Sequence, residues 1–298
     1  MKNQTKAYLF TLLAVTFWGT SATAFKIALR YVTPYSLLFY SAVISAMALF
    51  AVLFLQHRVK DLKHVSSRQI GHAALLGLIN PFLYYVVLFK AYSLLPGQIA
   101  MSLNFGWPLA LTLLSVPILK QHLTRTQLLA VVISFAGALI IATKGQFTSF
   151  GSVDRLGLLL AFGSTLIWAT FWLLNARDTL DPVIKLFLGF CFGSVYSFLF
   201  SPLLGGIQLP EIRAIFPLVY IGMFEMGVTF VLWLTALRLS SSAARVSNLI
   251  YISPFLSLVF LRLIIGEEIH ASTYIGLFCI VGSILCQEMQ AKKYRKMV

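Results

Sequence analysis

Ten apolar runs, each about the length of a bilayer crossing, leave this 298-residue chain few folds to choose from. They lie near residues 7–29, 34–55, 70–92, 97–119, 126–143, 156–176, 183–204, 214–237, 242–264 and 272–290. A helix rises 1.5 Å per residue, so roughly 20 apolar residues cross the ~30 Å of bilayer hydrocarbon. Only 11% of residues are charged and 59% are hydrophobic, against roughly a quarter charged in soluble domains. The expectation is an all-α polytopic membrane protein. The longest connections, Gln56 to Ser67 and Lys144 to Asp154, are too short for an inserted soluble domain. Met1 to Lys6 forms a short basic lead with no small-residue cleavage site after it, so the first run reads as a span and not as a removable signal.

The net charge of +14 suggests an anionic partner until the basic residues are placed on the spans. With the N-terminus inside, fourteen lysines and arginines fall on the inner side and five on the outer, the bias that orients membrane proteins. Both termini are therefore expected on the cytoplasmic side of the cell (inner) membrane. The Lys292-Lys293-Tyr294-Arg295-Lys296 run reads as a headgroup anchor, and no nucleic-acid partner is needed.

The runs also repeat. At an offset of about 145 residues Gly222 falls on Gly77, Glu225 on Asn80 and Ala236 on Ala91, with Pro254 within one residue of Pro108. Trp18 matches Trp168, Pro34 matches Pro182, and Gly137 matches Gly282. Two five-helix halves, residues 1–145 and 150–291 with a basic tail at 292–298, enter the membrane from opposite sides because five is odd. Such inverted repeats enclose a midplane site in secondary transporters.

The Trp-small pairs Trp18-Gly19 and Trp168-Ala169, and the polar run before proline in the fourth helix of each half, resemble the drug/metabolite transporter superfamily, in particular the EamA-type ten-helix exporters. The second half carries the likeness best, in Leu249-Ile250-Tyr251-Ile252-Ser253-Pro254, Gly266-Glu267-Glu268, Ile275-Gly276 and Val281-Gly282. The resemblance implies export of amino acids or similar small metabolites, with helices 1, 3, 4, 6, 8 and 9 around a cavity and helices 5 and 10 peripheral. One departure is Lys120-Gln121-His122, where the second half has its acidic pair.

Glu225 is the focal residue. A carboxylate at the bilayer centre costs roughly 2.5 to 3.5 kcal/mol on insertion scales unless it faces protein or water. Two readings stay open: a cavity group that carries a proton or meets a substrate ammonium, and a protonated acid bonded to a neighbouring helix. Helical spacing places Thr229 and Trp233 on its face. Asn80 takes the equivalent depth beside Pro81, which frees the carbonyl of Gly77. Pro108 and Pro254 act likewise on Asn104 and Ile250, as kinks for binding or gating or as packing alone.

Trp18 and Trp168 lie mid-helix, away from the interfacial belts where tryptophan concentrates, and are expected to bracket an apolar or aromatic moiety or a cation. Tyr84, Tyr85, Phe171 and Trp172 join that wall or fill the core. The substrate-binding set is thus Trp18, Asn80, Tyr84, Asn104, Trp107, Trp168, Glu225, Asn248 and Tyr251. Lys26, Arg245, Pro108 and Pro254 are gate candidates, while Lys90 and Lys185 read as snorkelling cations. The stripe Ala130, Ser134, Ala138 and Ala142 predicts close packing of the fifth helix.

Nothing points to catalysis, a metal or a cofactor. There is no His-Glu-x-x-His, no phosphate-binding glycine loop and no ligand spacing among His57, His64, His72, His122 and His270. Cys191, Cys279 and Cys286 read as packing residues. The partners implied are a small-molecule substrate and the lipid bilayer, the chain being a monomer or homodimer. Three alternatives remain: an extruder of cationic compounds, a flippase for lipids or lipid-linked sugars, and a non-transporting scaffold or receptor.

Overall fold

Two of the long helices start on the same device, a capping side chain followed by proline. In the computed structural model, which describes residues 2–119, 125–145, 153–175, 180–240 and 248–295, Thr33 accepts the amide of Ser36 ahead of Pro34, and Asp181 accepts the amides of Val183 and Ile184 ahead of Pro182. Each side chain satisfies donors that a helix start leaves orphaned, and proline there loses no bond. Helix α1 spans Lys2–Ala28, and the two capped helices are α2 (Pro34–Leu55) and α9 (Pro182–Leu199).

Between α2 and α9 lie α3 (Ser67–Gly77), α4 (Tyr84–Leu94), α5 (Gly97–Asn104), α6 (Trp107–Leu119), α7 (Arg125–Ala142) and α8 (Arg155–Asn175). After α9 come α10 (Ile212–Tyr220), α11 (Val228–Leu239), α12 (Ser253–Phe260) and α13 (Ala271–Arg295). No strand occurs among the described residues. Among the described residues six segments are long and apolar enough to cross a bilayer, and Leu128–Ile141, Leu249–Ile265 and Ala271–Cys286 are shorter apolar helices. Large apolar side chains such as Met47, Phe54, Leu129, Phe198, Phe216 and Phe278 are exposed on the outside, the surface expected of a multi-pass membrane protein in lipid.

Several runs expected as single helices are interrupted. A wide π-helical turn, Leu78–Leu83, joins α3 to α4, and another, Ile221–Glu225, precedes α11. The 97–119 run divides at Phe105 and Gly106 into α5 and α6. Pro108 therefore falls in the first turn of α6, and Pro254 in the first turn of α12, behind a 3₁₀ turn at Asn248–Ile252. Both prolines, expected as kinks, begin helices instead, where a missing amide hydrogen removes no bond. A further π turn, Leu261–Ile265, follows α12 and ends at Gly266, which is left-handed at φ 79°.

Packing joins the two parts of the chain throughout. Helix α1 lies against α11 and α12, α2 against α9, α4 against α8, and α7 against α13. At the last contact Gly137 and Gly276 meet backbone to backbone, and the hydroxyls of Ser134 and Ser283 share a hydrogen bond. The stripe Ala130, Ser134 and Ala138 is buried as expected; the side chain of Ala142 lies outside the described residues. Away from the apolar surface, Asp181 accepts from Arg58 at 3.3 Å and Arg238 at 3.4 Å, tying the α2 and α11 ends to the start of α9.

Candidate functional site

The carboxylate of Glu225 hangs from the end of a π turn, where the backbone cannot complete a regular ladder. Gly227 leaves helical geometry at φ −104°, ψ −94°, and the Thr229 hydroxyl donates to the freed Phe224 carbonyl. The Trp18 indole donates to the Glu225 carbonyl at 3.4 Å. Break, glycine, threonine and a tryptophan from another helix together fix where the acid points.

It points into a cavity of about 500 Å³ bordered by Trp18, Tyr84, Asn104, Trp107, Trp168 and Glu225, with Tyr85, Phe230 and Trp233 among its other walls. Ser21 of α1 donates to one carboxylate oxygen, and the Tyr85 hydroxyl of α4 donates to the other at 3.2 Å. Glu225 thus has two fixed partners and still faces the cavity, being only half-buried. Aromatic rings close around it: Trp18 meets Phe230 and Trp233 with centroids 5.6 and 5.7 Å apart, and Trp168 meets Tyr84 at 4.6 Å and Phe230 at 6.1 Å. Asn104 anchors the far wall by accepting from Tyr84 at 3.2 Å and donating to Ser164 at 2.9 Å.

Chemically this is an apolar box with one acid in its wall. Indole and phenol faces carry negative charge density that attracts cations, and the carboxylate adds a directional acceptor. No group of histidine, cysteine, aspartate and glutamate among the described residues is arranged to hold a metal ion.

Other expected residues lie elsewhere. Asn80 is 4% exposed and borders a separate chamber of about 90 Å³ with Trp172, Asn175 and Lys185. Its backbone is extended at φ −144°, ψ 121°, which turns it off the Tyr84 and Tyr85 face. Thr229, expected beside Glu225 on the wall, is fully buried and spent on Phe224, because the break at Gly227 resets the helical phase. Phe171 stacks on Trp168 and borders the chamber, not the cavity. Lys26 caps α4 by donating to the carbonyls of Tyr92 and Leu95 at 3.1 and 3.0 Å, so it does not reach into the cavity. Ile250, and not Tyr251, borders the cavity; Tyr251 packs half-buried on the core. Lys90 is exposed, whereas Lys185, expected only to snorkel, borders the chamber. Arg245 and the side chains of Asn248 and Pro108 lie outside the described residues.

Two features escaped sequence reasoning. Ser21 stands three residues after Trp18, hence on the same helical face, which is a usable signal. The second is a clasp: Glu267 accepts the amides of Gly97 and Gln98 at 2.7 and 3.1 Å. Gln98 in turn donates to the Glu268 carbonyl at 2.7 Å and accepts from His270 and Thr273 at 3.1 and 2.8 Å. Glu267 in the Gly266-Glu267-Glu268 run thereby caps the start of α5 across the bundle.

Comparison with known proteins adds three findings. A family model described as the EamA-like transporter family matches residues 5–143 and again residues 155–287. The chain is 24% identical to the uncharacterized transporter YvbV of Bacillus subtilis, over 97% of this chain and 93% of that protein. It is 27% identical to the uncharacterized transporter YdfC of the same organism, over 95% and 91%, and 24% identical to an uncharacterized transporter of Archaeoglobus fulgidus, over 96% and 98%. A solved crystal structure shares the fold with a TM-score of 0.67 at 20% identity, covering 97% of this chain and 99% of that one.

Proposed function

Because the chain belongs to the EamA-like transporter family, we propose that it is a secondary transporter moving small amino compounds, amino acids foremost, by alternating access. The observation that carries this reading is Glu225, held by Ser21 and Tyr85 and facing an aromatic cavity. A substrate ammonium bonds the carboxylate while its apolar body lies between Trp18 and Trp168. A volume of about 500 Å³ falls in the range of small-molecule sites, roughly 300–1,000 Å³.

In this reading ten helices form two inverted five-helix repeats, residues 1–145 and 150–291, followed by the basic tail 292–298. The protein sits in the inner membrane with both termini cytoplasmic. The family matches at 5–143 and 155–287 support the division, and so does the crosswise seating of Gly77 on α9 and Gly222 on α2. Rocking of one repeat against the other then exposes the cavity alternately to the two sides.

An extruder of organic cations is the second reading, favoured by the same acid and aromatic faces. Counterflow in proteoliposomes decides: preloaded amino acid should drive uptake of labelled amino acid, and Glu225→Gln should abolish it at normal expression. Exchange of lipophilic cations but not amino acids selects the second reading. Movement of labelled lipid selects a flippase, and no exchange with any class selects a scaffold or receptor.

A further inference from the structure

The end of the cavity nearest the turn between α4 and α5 is bordered by Phe25 of α1, Tyr92 of α4 and Met101 of α5. The rings of Phe25 and Tyr92 meet there with centroids 5.1 Å apart. Just past these residues lies a set of polar contacts. Lys26 donates to the carbonyls of Tyr92 and Leu95 at the end of α4, and Glu267 accepts the amides of Gly97 and Gln98 at the start of α5. The Gln98 side chain adds bonds to Glu268, His270 and Thr273. The Glu267 and Gln98 bonds cross between the two family-matched stretches, residues 5–143 and 155–287, whereas those of Lys26 stay within the first.

Each charge sits on the helix end that suits it, the ammonium on the carbonyl end of α4 and the carboxylate on the amide end of α5. A Cβ on Gly97 would stand 3.1 Å from Glu267 Oε1 and 3.2 Å from Lys26 Cγ, so both side chains converge on that residue. Contacts of this kind can be exchanged for bonds to water at little net cost. Hydrocarbon offers no such partner, so the released amides and carboxylate must meet an aqueous opening. The repeat does not duplicate the device, because Lys120-Gln121-His122 stands in the first half where the second has its acidic pair.

We propose that this clasp is the gate at one end of the transport cavity, which opens when Glu267 and Gln98 part from their partners across the bundle. Lys26 stays with α4 during opening, since both belong to the first repeat. This rests on the alternating-access reading above, and it names the contacts that must break. Lys26 lies near the end of α1 remote from the N-terminus, so cytoplasmic termini put the gate on the outer face.

Met101→Cys, one turn inward of Gln98, reports opening through its reaction with a membrane-impermeant maleimide. Mass spectrometry reads the label at that residue, so Cys191, Cys279 and Cys286 do not interfere. Labelling is run from both sides, in intact cells and in inverted membrane vesicles. Adding Glu267→Gln or Gln98→Ala should each raise labelling from the outer side by about ten-fold or more, as expected when bonds to a charged group or several neutral bonds are lost. Asp181→Asn, at the other end of the bundle, should leave outer labelling no faster. A rise from the inner side alone keeps the gate and reverses the expected orientation. Labelling unchanged in both clasp variants, an equal rise from both sides, or the same rise with Asp181→Asn overturns the gate. A one-sided rise in a protein that exchanges no substrate keeps the clasp as the gate of the cavity and removes the transporter reading. The two clasp variants are independent, so the test survives misfolding of either.

Discussion

The helix breaks at Leu78–Leu83 and Ile221–Glu225 occupy matching places in the two halves of the sequence but are built from different chemistry. In the first, Pro81 removes an amide and Asn80 leaves helical geometry, so the break is written into the local sequence. In the second no proline occurs, and Gly227, the Thr229 hydroxyl and the Trp18 indole together stabilise the opening. The first sends a neutral amide into a small chamber, and the second sends a carboxylate into the large cavity. Equivalent position therefore does not mean equivalent compartment. Tertiary contacts place the two breaks in separate compartments.

The strongest way to break this comparison is to exchange the polar groups. Glu225→Gln should lower counterflow more than about ten-fold, the loss of a charge-assisted bond to substrate. Adding Asn80→Asp should restore nothing, because that side chain faces the other compartment. Recovery of counterflow in the double variant would make the two breaks interchangeable.

Next in size are the glycines at the start of each break, Gly77 just before the first and Gly222 inside the second. A Cβ on Gly77 would stand 2.5 Å from the Gly189 backbone carbonyl of α9, and one on Gly222 would stand 2.7 Å from Ile44 and 2.8 Å from the Ser41 carbonyl of α2. Gly77→Ala and Gly222→Ala should each destabilise by about 1–3 kcal/mol through overpacking, with Gly77→Ala the worse. Thermal unfolding in detergent measures both, and tolerance of either would show that its helix pair can separate freely.

Smaller effects follow at the second break. Tyr85→Phe removes one of the two donors to Glu225 and keeps the ring, so amine affinity should fall about five-fold, or ~1 kcal/mol. Titration with phenethylamine checks it. Thr229→Val leaves the Phe224 carbonyl without its hydroxyl and should lower stability by about 0.5–1.5 kcal/mol, with no counterpart at the first break. An unchanged melting temperature would remove threonine from the account of that break.

The smallest effect separates the two helix starts. Burial by itself would raise the Asp181 carboxyl, but its bond to Arg58 and the amides of Ile184 and Val183 outweigh that and hold it below its ordinary value of 3.8. A carboxyl with a depressed folded value contributes stability that is complete above its unfolded value and is lost as pH falls through the folded one. The melting difference between wild type and Asp181→Asn should therefore be constant at neutral pH and shrink below about pH 4, where carboxylates take up protons. The Thr33→Ala difference should stay flat, since a hydroxyl cap does not titrate.

The sequence by itself determined the membrane class, the placing of apolar helices, the family resemblance, and six residues of the cavity wall. Those features depend on composition, run length and one-dimensional spacing, which survive any detail of packing. Trp18, Tyr84, Asn104, Trp107, Trp168 and Glu225 were all readable that way, and the structure brings them to one cavity. Only the tertiary structure decided the partners and the compartments. Helical spacing assigns a face at 100° per residue as long as the helix continues, and the helices that carry Asn80 and Glu225 both break at those residues. Thr229 leaves the Glu225 wall for that reason, and Asn80 turns into the chamber. Ser21 and Tyr85 reach Glu225 across 204 and 140 positions of sequence, and Glu267 reaches Gly97 across 170. No local pattern specifies such separations, because they depend on how α1, α4, α5 and the break before α11 seat against one another.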